Sequence, residues 1–466
     1  MITTHSNLSE NLDWDKAPHV FKDATTIARK LGINYIWIDA LCIIQDDVQD
    51  WEIESSKMAA ICENARLTIA TSSSANPTVS CLTERDSRYR EMELVFNGEE
   101  KFWARRNIPF GIHGKITTAT VKDPIDYRAW VLQESVLATR TIAYTGGELQ
   151  WRCNTLRICE CKPTPSPRCS MELKAALRPE SECDVFSTWH LLVEDYTSRQ
   201  LTVLDDQLPA LMGLATKFHE NTAAEYIAGM WKEHLLNDLS WDRYSEASFQ
   251  HIGQYTAPSF SWASFPGAKT FRQARMSYGG NKKYHTEVLD VKCVIDGQAP
   301  FGKVSGGMLK LRGPTLEGRL TSKTPGDPTA YELKVGRDEA FYEFEIDCPL
   351  SQMAISDGEG SISQTLGRAT EDRYEPFEST PVLLISLYTL ECPEVRQYLY
   401  EILLILGRST KVSGGYERLG VATAKKSSIE MKVRDLGEIL RPFECLPDSH
   451  GLGDFRGGER AVIMIV

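Results

Sequence analysis

LGINYIWIDALCIIQDDVQDWEIESSKMAAICENARLTIA, residues 31–70, changes character several times along its length, and its reading decides the fold of the first part of the chain. Just upstream, Phe21, Ala24, Ile27, Ala28 and Leu31 recur at helical spacing, and Gly32 stands where a left-handed C-terminal cap belongs. Tyr35-Ile36-Trp37-Ile38 is aromatic and β-branched, which predicts a buried strand whose C-terminal end presents the carboxylate of Asp39. The turn-prone LCIIQDDVQDW leads into a helix in which Met58, Ile61, Cys62 and Ala65 share a face, and RLTIAT (66–71) predicts the next strand. Helix, strand, helix, strand in this order argues for an α/β fold with a parallel sheet flanked by helices.

Moving outward, SSSANPTVS breaks the pattern, and loops with short strands are expected up to about Asp126. Trp130 to Ala138 predicts a helix, and Arg140 to Thr145, Gly146-Gly147 and Glu148 to Cys153 predict a hairpin. The Pro- and Cys-rich CECKPTPSPRC (159–169) is the best linker candidate. Three helix faces follow: Phe186, Trp189, Val193 and Tyr196; Leu211, Leu214, Ala215 and Phe218; then Ile227, Met230, Trp231 and Leu235. From SFSWASF (259–265) onward short β-rich runs take over, among them KLRGPTLEG, FYEFEI, VLLISLYTL and ILLILG. The expected organisation is an α/β domain over 1–160, a helical region over 161–250 and a mainly β region over 251–466, a multi-layer α+β protein overall with no internal repeat.

The chain has 466 residues, of which 42% are hydrophobic and 25% charged, so it should fold around ordinary cores without staples. Its net charge of −12 repels a phosphate backbone, and no nucleic-acid partner is expected. The longest apolar stretches, Val382 to Leu390 and Ile402 to Leu406, fall short of the ~18 residues that cross a bilayer, so no membrane span is expected. MITTHSNLSENLDWDKAP lacks the charged start and apolar run of a secretory signal, which points to the cytoplasm. The twelve cysteines are then expected to be reduced, mostly as small buried hydrophobes. Cys153, Cys159, Cys161 and Cys169 lie close in sequence but lack the paired knuckles of a zinc site, so no metal is expected there.

Residues 31–70 resemble the central motif of fungal heterokaryon-incompatibility (HET) domains, which combine a WID, an LCI-x-Q-D run, a DW, a Met and an NA-x-x-T-I-A tail. RAWVLQESVLATRTIAYTGGELQWRC (128–153) is similar to that family's W-x-x-Q-E motif with its following Arg and hairpin. The resemblance continues through YTSRQLTVLDDQLPALMGLA (196–215), YIAGMWKEHLLNDLSW (226–241), PSFSWASF (258–265) and YERLGVA (416–422). One departure stands out: residues 1–20 contain nothing like the S-Y-x-W-G motif that usually ends a first strand. The family's α/β domain is in turn similar to TIR domains, some of which cleave the nicotinamide-ribosyl bond of NAD with a helix-borne glutamate. Glu134 is the residue that would match it, with Trp130 at i−4 on the same helix face and Gln133 beside it.

Each candidate has an ordinary counterpart reading. Glu134 is a catalytic carboxylate or a helix carboxylate paired with a nearby arginine. Asp39 orients a ligand hydroxyl or caps the following loop, and Gln45 and Asp46 carry the same ambiguity. Trp37 and Trp130 line a substrate crevice with Asp39 and Glu134, although Trp37, Trp51, Met58 and Ile61 also suit a core. Cys42 invites a nucleophile reading, with His19, His113 or His190 as base, but a buried structural thiol fits better. The resemblance implies a role in non-self recognition and regulated cell death, with self-association or another incompatibility protein as partner. The missing first strand suggests an alternative, a repurposed enzyme or accessory protein of secondary metabolism acting on a small-molecule substrate. A third reading is NAD glycohydrolysis at Glu134, with NAD as substrate and no resident cofactor or metal.

Overall fold

A computed structural model describes residues 13–84, 90–96, 100–104, 122–160, 162–167, 173–177, 181, 183–244, 255–275, 281–323, 331–335, 343–347, 379–391, 398–427 and 461–466. The chain divides into two compact units. Unit 1 comprises Met1–Thr188, Arg199–Leu201 and Ala210–Lys217, and unit 2 comprises Trp189–Ser198, Thr202–Pro209 and Phe218–Val466.

Helix α1 (His19–Lys30) buries Phe21, Ala24, Ile27 and Ala28 and ends as expected, with Gly32 at φ +66° taking the left-handed position. The predicted strand at Tyr35–Ile38 does not form. The backbone is extended at Ile38, but among the described residues it joins no sheet, and Tyr35 is 91% exposed. Aromatic and β-branched content gives a segment strand propensity, yet a strand exists only where a neighbour completes its ladder. The chain then turns through α2 (Asp39–Cys42) into α3 (Val48–Asn64). Asp47 caps α3 by accepting from the amides of Gln49 (2.8 Å) and Asp50 (3.1 Å), so the acidic run QDDVQD starts a helix earlier than its turn-like composition suggests.

Strand β1 (Thr68–Ala70) follows, then a separate hairpin of β2 (Met92–Phe96) and β3 (Glu100–Ala104), within the stretch read as loops and short strands. Helix α4 (Ala129–Leu137) and the hairpin β4 (Arg140–Tyr144) and β5 (Leu149–Cys153) match expectation. The sheet does not continue as a parallel one. Among the described strands of this sheet only β1 and β4 pair parallel, because β5, β6 (Leu156–Cys159) and β7 (Lys162–Pro167) are joined by turns too short for a crossover. The sheet order is β1-β4-β5-β6-β7, so the linker candidate supplies a strand instead, and its prolines are tolerated because β7 is an edge.

Beyond α5 (Leu173–Ala176), helices α6 (Val185–Thr197) and α7 (Met212–Thr222) fall where the sequence places them, with Trp189, Val193, Tyr196, Leu211, Leu214, Ala215 and Phe218 buried. The third predicted helix is absent. Ile227 to Leu235 instead folds as β8 (Tyr226–Ile227), β9 (Met230–Trp231), a 3-10 turn and the start of α8 (Leu235–Asp238). The Gly229 carbonyl accepts from the indole N–H of both Trp189 (3.0 Å) and Trp262 (2.9 Å), and Gly229 itself has φ +95°. A Cβ there would lie 2.6 Å from the Trp262 ring, so neither a helix nor another residue fits.

Two short strands, β10 (Asp242–Arg243) and β11 (Lys269–Thr270), pair, and α9 (Arg272–Arg275) follows. SFSWASF is a buried 3-10 turn capped by Ser261. The remaining strands are β12 (Lys282–Tyr284), β13 (Glu287–Ile295), β14 (Val304–Gly313), β15 (Thr315–Ser322), β16 (Tyr331–Val335), β17 (Glu343–Ile346), β18 (Ser379–Glu391), β19 (Tyr398–Arg408), β20 (Tyr416–Ser427) and β21 (Ala461–Ile465). They form one largely antiparallel sheet, ordered β13-β14-β21-β20-β19-β18-β15-β16, with β12 on β18 and β17 on β20. VLLISLYTL and ILLILG are buried on both faces, which explains their unbroken apolar runs. The mixed α/β character and the β-rich C-terminal part therefore stand. Among the described residues no helix is long and apolar enough to cross a membrane.

Within unit 1 the tightest approach is at Gly213, where a Cβ would lie 2.4 Å from the Ala59 Cβ of α3 and 2.8 Å from Gln133 Oε1 of α4. Gly213→Ala is therefore expected to lower stability by about 1–3 kcal/mol, read as an earlier midpoint in denaturant melts of the full chain. An unchanged midpoint would mean that the three helices separate freely.

Candidate functional site

Helix α4 turns one face inward. Ala129, Leu132, Gln133 and Leu137 fall at helical spacing and are buried, and Val131 is buried beside them. Gln133, 1% exposed, spends its side-chain oxygen on the Gly213 amide at 2.7 Å. The C-terminal end of α4 is held by Lys174, whose ammonium donates to the carbonyls of Leu137 and Ala138. The N-terminal end is held by a parallel bridge in which Ala129 N–H donates to Gln200 O (3.0 Å) and Gln200 N–H to Tyr127 O (2.6 Å).

These constraints leave Trp130 and Glu134 together on the other side, both partly buried. Trp130 meets Trp51 of α3 edge to face, with ring centroids 6.3 Å apart. Glu134 carries the most informative electrostatics of the unit. Burial pushes its carboxyl up to about 7, Asp39 pushes it the same way, and Arg128 and Arg199 pull it back. Asp39 and Glu134, far apart in sequence, are thus close enough to repel.

Asp39 opens α2, and its Oδ1 accepts from the Ala40 amide at 2.8 Å, in keeping with a backbone-bonding role. Gln45 donates to the carbonyls of Ile43 (3.0 Å) and Asp39 (3.4 Å), so it braces the Asp39 turn. Asp50, in the same acidic run, takes the Ile44 amide at 2.7 Å. Asp46 is exposed on this loop, and Trp37 is partly buried two residues before Asp39. The structure therefore brings Asp39, Gln45, Trp130 and Glu134 toward one region and commits the Gln133 oxygen to the packing of α7.

Three arginines complete the surroundings. Arg128 precedes α4, and Arg199 reaches it from the segment after α6, donating to the Arg128 carbonyl at 3.4 Å. Arg152 of β5 donates to Ser135 O at 2.9 Å, and burial lowers its affinity for its proton against the pull of Asp126. Arg128 and Arg152 fall inside the W-x-x-Q-E block, whereas Arg199, some seventy positions later, lies in the YTSRQ stretch that the sequence reading does not tie to this site. Cys62 of α3 also feels Glu134: burial first, then that carboxylate, pushes its thiol up to about 12, which makes it inert. Cys42 is exposed, contrary to the buried thiol expected of it. Of its suggested bases, His113 lies outside the described residues and His190 belongs to unit 2. Cys62, Cys81 and Cys159 are the buried cysteines among those described, while Cys161 and Cys169 lie outside them.

A carboxyl held up by burial and a second carboxylate, with arginines at a distance, is an environment that rewards an added positive charge. Residues 2–134 match the family described as Heterokaryon incompatibility protein (HET), so the match ends on Glu134 itself. No curated protein and no solved structure matches the chain.

The raised carboxyl has a measurable consequence. Glu134 binds its proton more tightly folded than unfolded, so its contribution to stability is full below about pH 4.5 and is lost as pH rises through about 7. Between about pH 5 and 7.5 the wild type should lose on the order of 1–3 kcal/mol more stability than Glu134→Gln, by denaturant melts at each pH. Asp123 and Asp242 also titrate high, at about 6 and about 7, but both are common to the two proteins and cancel in the difference. Parallel curves would mean an ordinary carboxylate at position 134.

Proposed function

We propose that this chain, whose residues 2–134 form a heterokaryon incompatibility (HET) domain, acts in fungal non-self recognition and regulated cell death by cleaving the nicotinamide-ribosyl bond of NAD at Glu134. The observation that carries the reading is the carboxyl of Glu134, raised to about 7 by burial and by Asp39 beside the Trp130–Trp51 pair. In the reaction the C–N bond of the nicotinamide riboside breaks and nicotinamide leaves with the bonding pair. Water then adds to the ribosyl carbon and releases a proton. The ribosyl centre becomes oxocarbenium-like on the way, and ionised Glu134, poorly solvated and repelled by Asp39, stabilises that charge more than it would in water.

The indole of Trp130 offers an apolar wall for the nicotinamide ring, and Glu134 reaches the ribose hydroxyls as acceptor. Arg128 and Arg199 suit the diphosphate, since guanidinium forks match phosphate oxygens. Asp39 raises the energy of the empty site and so acts as a positioning and electrostatic group. Activity would be governed by self-association or by another incompatibility protein, as the family role implies.

The test is to incubate the purified chain with NAD and quantify released nicotinamide by chromatography, with Glu134→Ala checked for intact folding. Release that falls at least a hundredfold in the variant, with kcat/KM in the wild type rising through about pH 7 as Glu134 ionises, is the expected result. Absence of release from folded wild type, including on co-expression in a fungal host that nevertheless dies, would separate the cell-death role from NAD cleavage and remove the latter.

A further inference from the structure

Unit 2 holds a second convergence of ionisable groups, made from three separate elements. His190 lies on α6, His234 ends the 3-10 turn Lys232–His234, and Asp238 closes α8. One ligand atom from each lies within 4.8 Å of the others. His190 Nε2 is 2.7 Å and His234 Nδ1 3.0 Å from the same carboxylate oxygen, Asp238 Oδ1. The second oxygen, Oδ2, is oriented by the Trp231 amide, which donates to it at 2.8 Å.

The arrangement asks what faces Asp238. Its carboxylate is buried, and the ion pairs it makes among the described residues come from these two imidazoles. The Nδ1 of His190 has no hydrogen-bond partner among the described residues, and its ring is clamped by stacking on Phe271 at 4.2 Å and 5°. The polar contact of that ring among the described residues is thus made at Nε2, with Asp238.

The ring spacing supplies an independent measure. The imidazole centroids of His190 and His234 are 5.3 Å apart. Two imidazoles sharing one tetrahedral cation, with metal–nitrogen bonds of about 2.0–2.1 Å, would hold their centroids roughly 5 Å apart. The side chain of His234 is 20% exposed while those of the other two are 1% and 2%, so a cation at this point has an entry path and a fourth position toward solvent. Two nitrogens and one carboxylate oxygen form a donor set for zinc-class cations and not for calcium or magnesium.

We propose that His190, His234 and Asp238 bind one divalent transition-metal cation of the zinc class, which braces α6 against the turn and helix that follow β9. This site is independent of the Glu134 reading.

The experiment uses the full chain stripped with chelator and titrated with zinc by calorimetry and with cobalt by visible absorption. The expected result is one equivalent bound, a cobalt spectrum without a sulfur-to-metal charge-transfer band, and a higher melting temperature. In His234→Ala, the least buried ligand and the variant best placed to stay folded, affinity should fall at least tenfold and the metal-dependent stabilisation should vanish. His234→Gln, which keeps a polar side chain without an imidazole, should do the same. Absence of stoichiometric binding to the wild type overturns the proposal. So does binding that persists unchanged in either variant, or a sulfur band showing that the cysteines hold the metal.

Discussion

The hydrogen bond from the Gly213 amide to the Gln133 side chain, 2.7 Å long and fully enclosed, fixes how α4 is rotated, and the chemistry of unit 1 depends on that rotation. With Gln133 turned to α7 and Leu132 and Leu137 in the core, Trp130 and Glu134 are left facing the α2–α3 side. A half-turn of slack would carry Glu134 into water and relax its carboxyl to an ordinary value. Glycine at 213 is what permits the approach, since any side chain would strike Ala59 and Gln133 together. Lys174 at one end of α4 and the Arg128–Gln200 bridge at the other remove the remaining freedom. Local packing thus forces a carboxylate into surroundings that disfavour its charge, which is how functional acids are commonly tuned.

Unit 2 handles buried charge differently. Arg418, fully buried, donates from Nε to Asp347 Oδ2 (2.8 Å), from Nη2 to Asp347 Oδ1 (3.2 Å), and from Nη1 to Leu239 O (2.6 Å). It also donates to Trp241 O and stacks on the Trp241 ring at 3.5 Å. Nearly every donor of the guanidinium is used, so the charge is stabilised and chemically silent. Among the described residues Glu134 has no such neutralising fork, and Asp238 is held by two imidazoles and the Trp231 amide. The contrast separates charges that serve packing from those that leave a demand for a ligand.

Much of the fold was legible in the sequence because helical periodicity and apolar runs report burial directly. Phe21 to Leu31 with Gly32, Trp130 to Ala138 and the hairpin at Gly146-Gly147 formed as read, and so did the β-rich C-terminal runs. The failures share one cause, since each turned on what does or does not pack beside the segment and not on its own composition. Tyr35 to Ile38 has strand composition but joins no ladder among the described residues. Ile227 to Leu235 has helical spacing, but two indoles claim the Gly229 carbonyl. Lys162 to Pro167 has linker composition but forms the last of the described strands of its sheet. The same holds at the site. Glu134, Trp130 and Asp39 were marked by their motifs, whereas Arg199 and the Gly213 amide come from remote segments that only the folded chain brings near.

The most direct test of this account is a titration of the Glu134 carboxyl itself, by carbon NMR of the full chain labelled at glutamate side-chain carboxyls, with Glu134→Gln assigning the signal. The account predicts a midpoint at about 7 that moves down when Asp39 is replaced in Asp39→Asn. A midpoint in the ordinary glutamate range, unmoved by Asp39→Asn, would contradict it and leave Glu134 as a structural helix carboxylate.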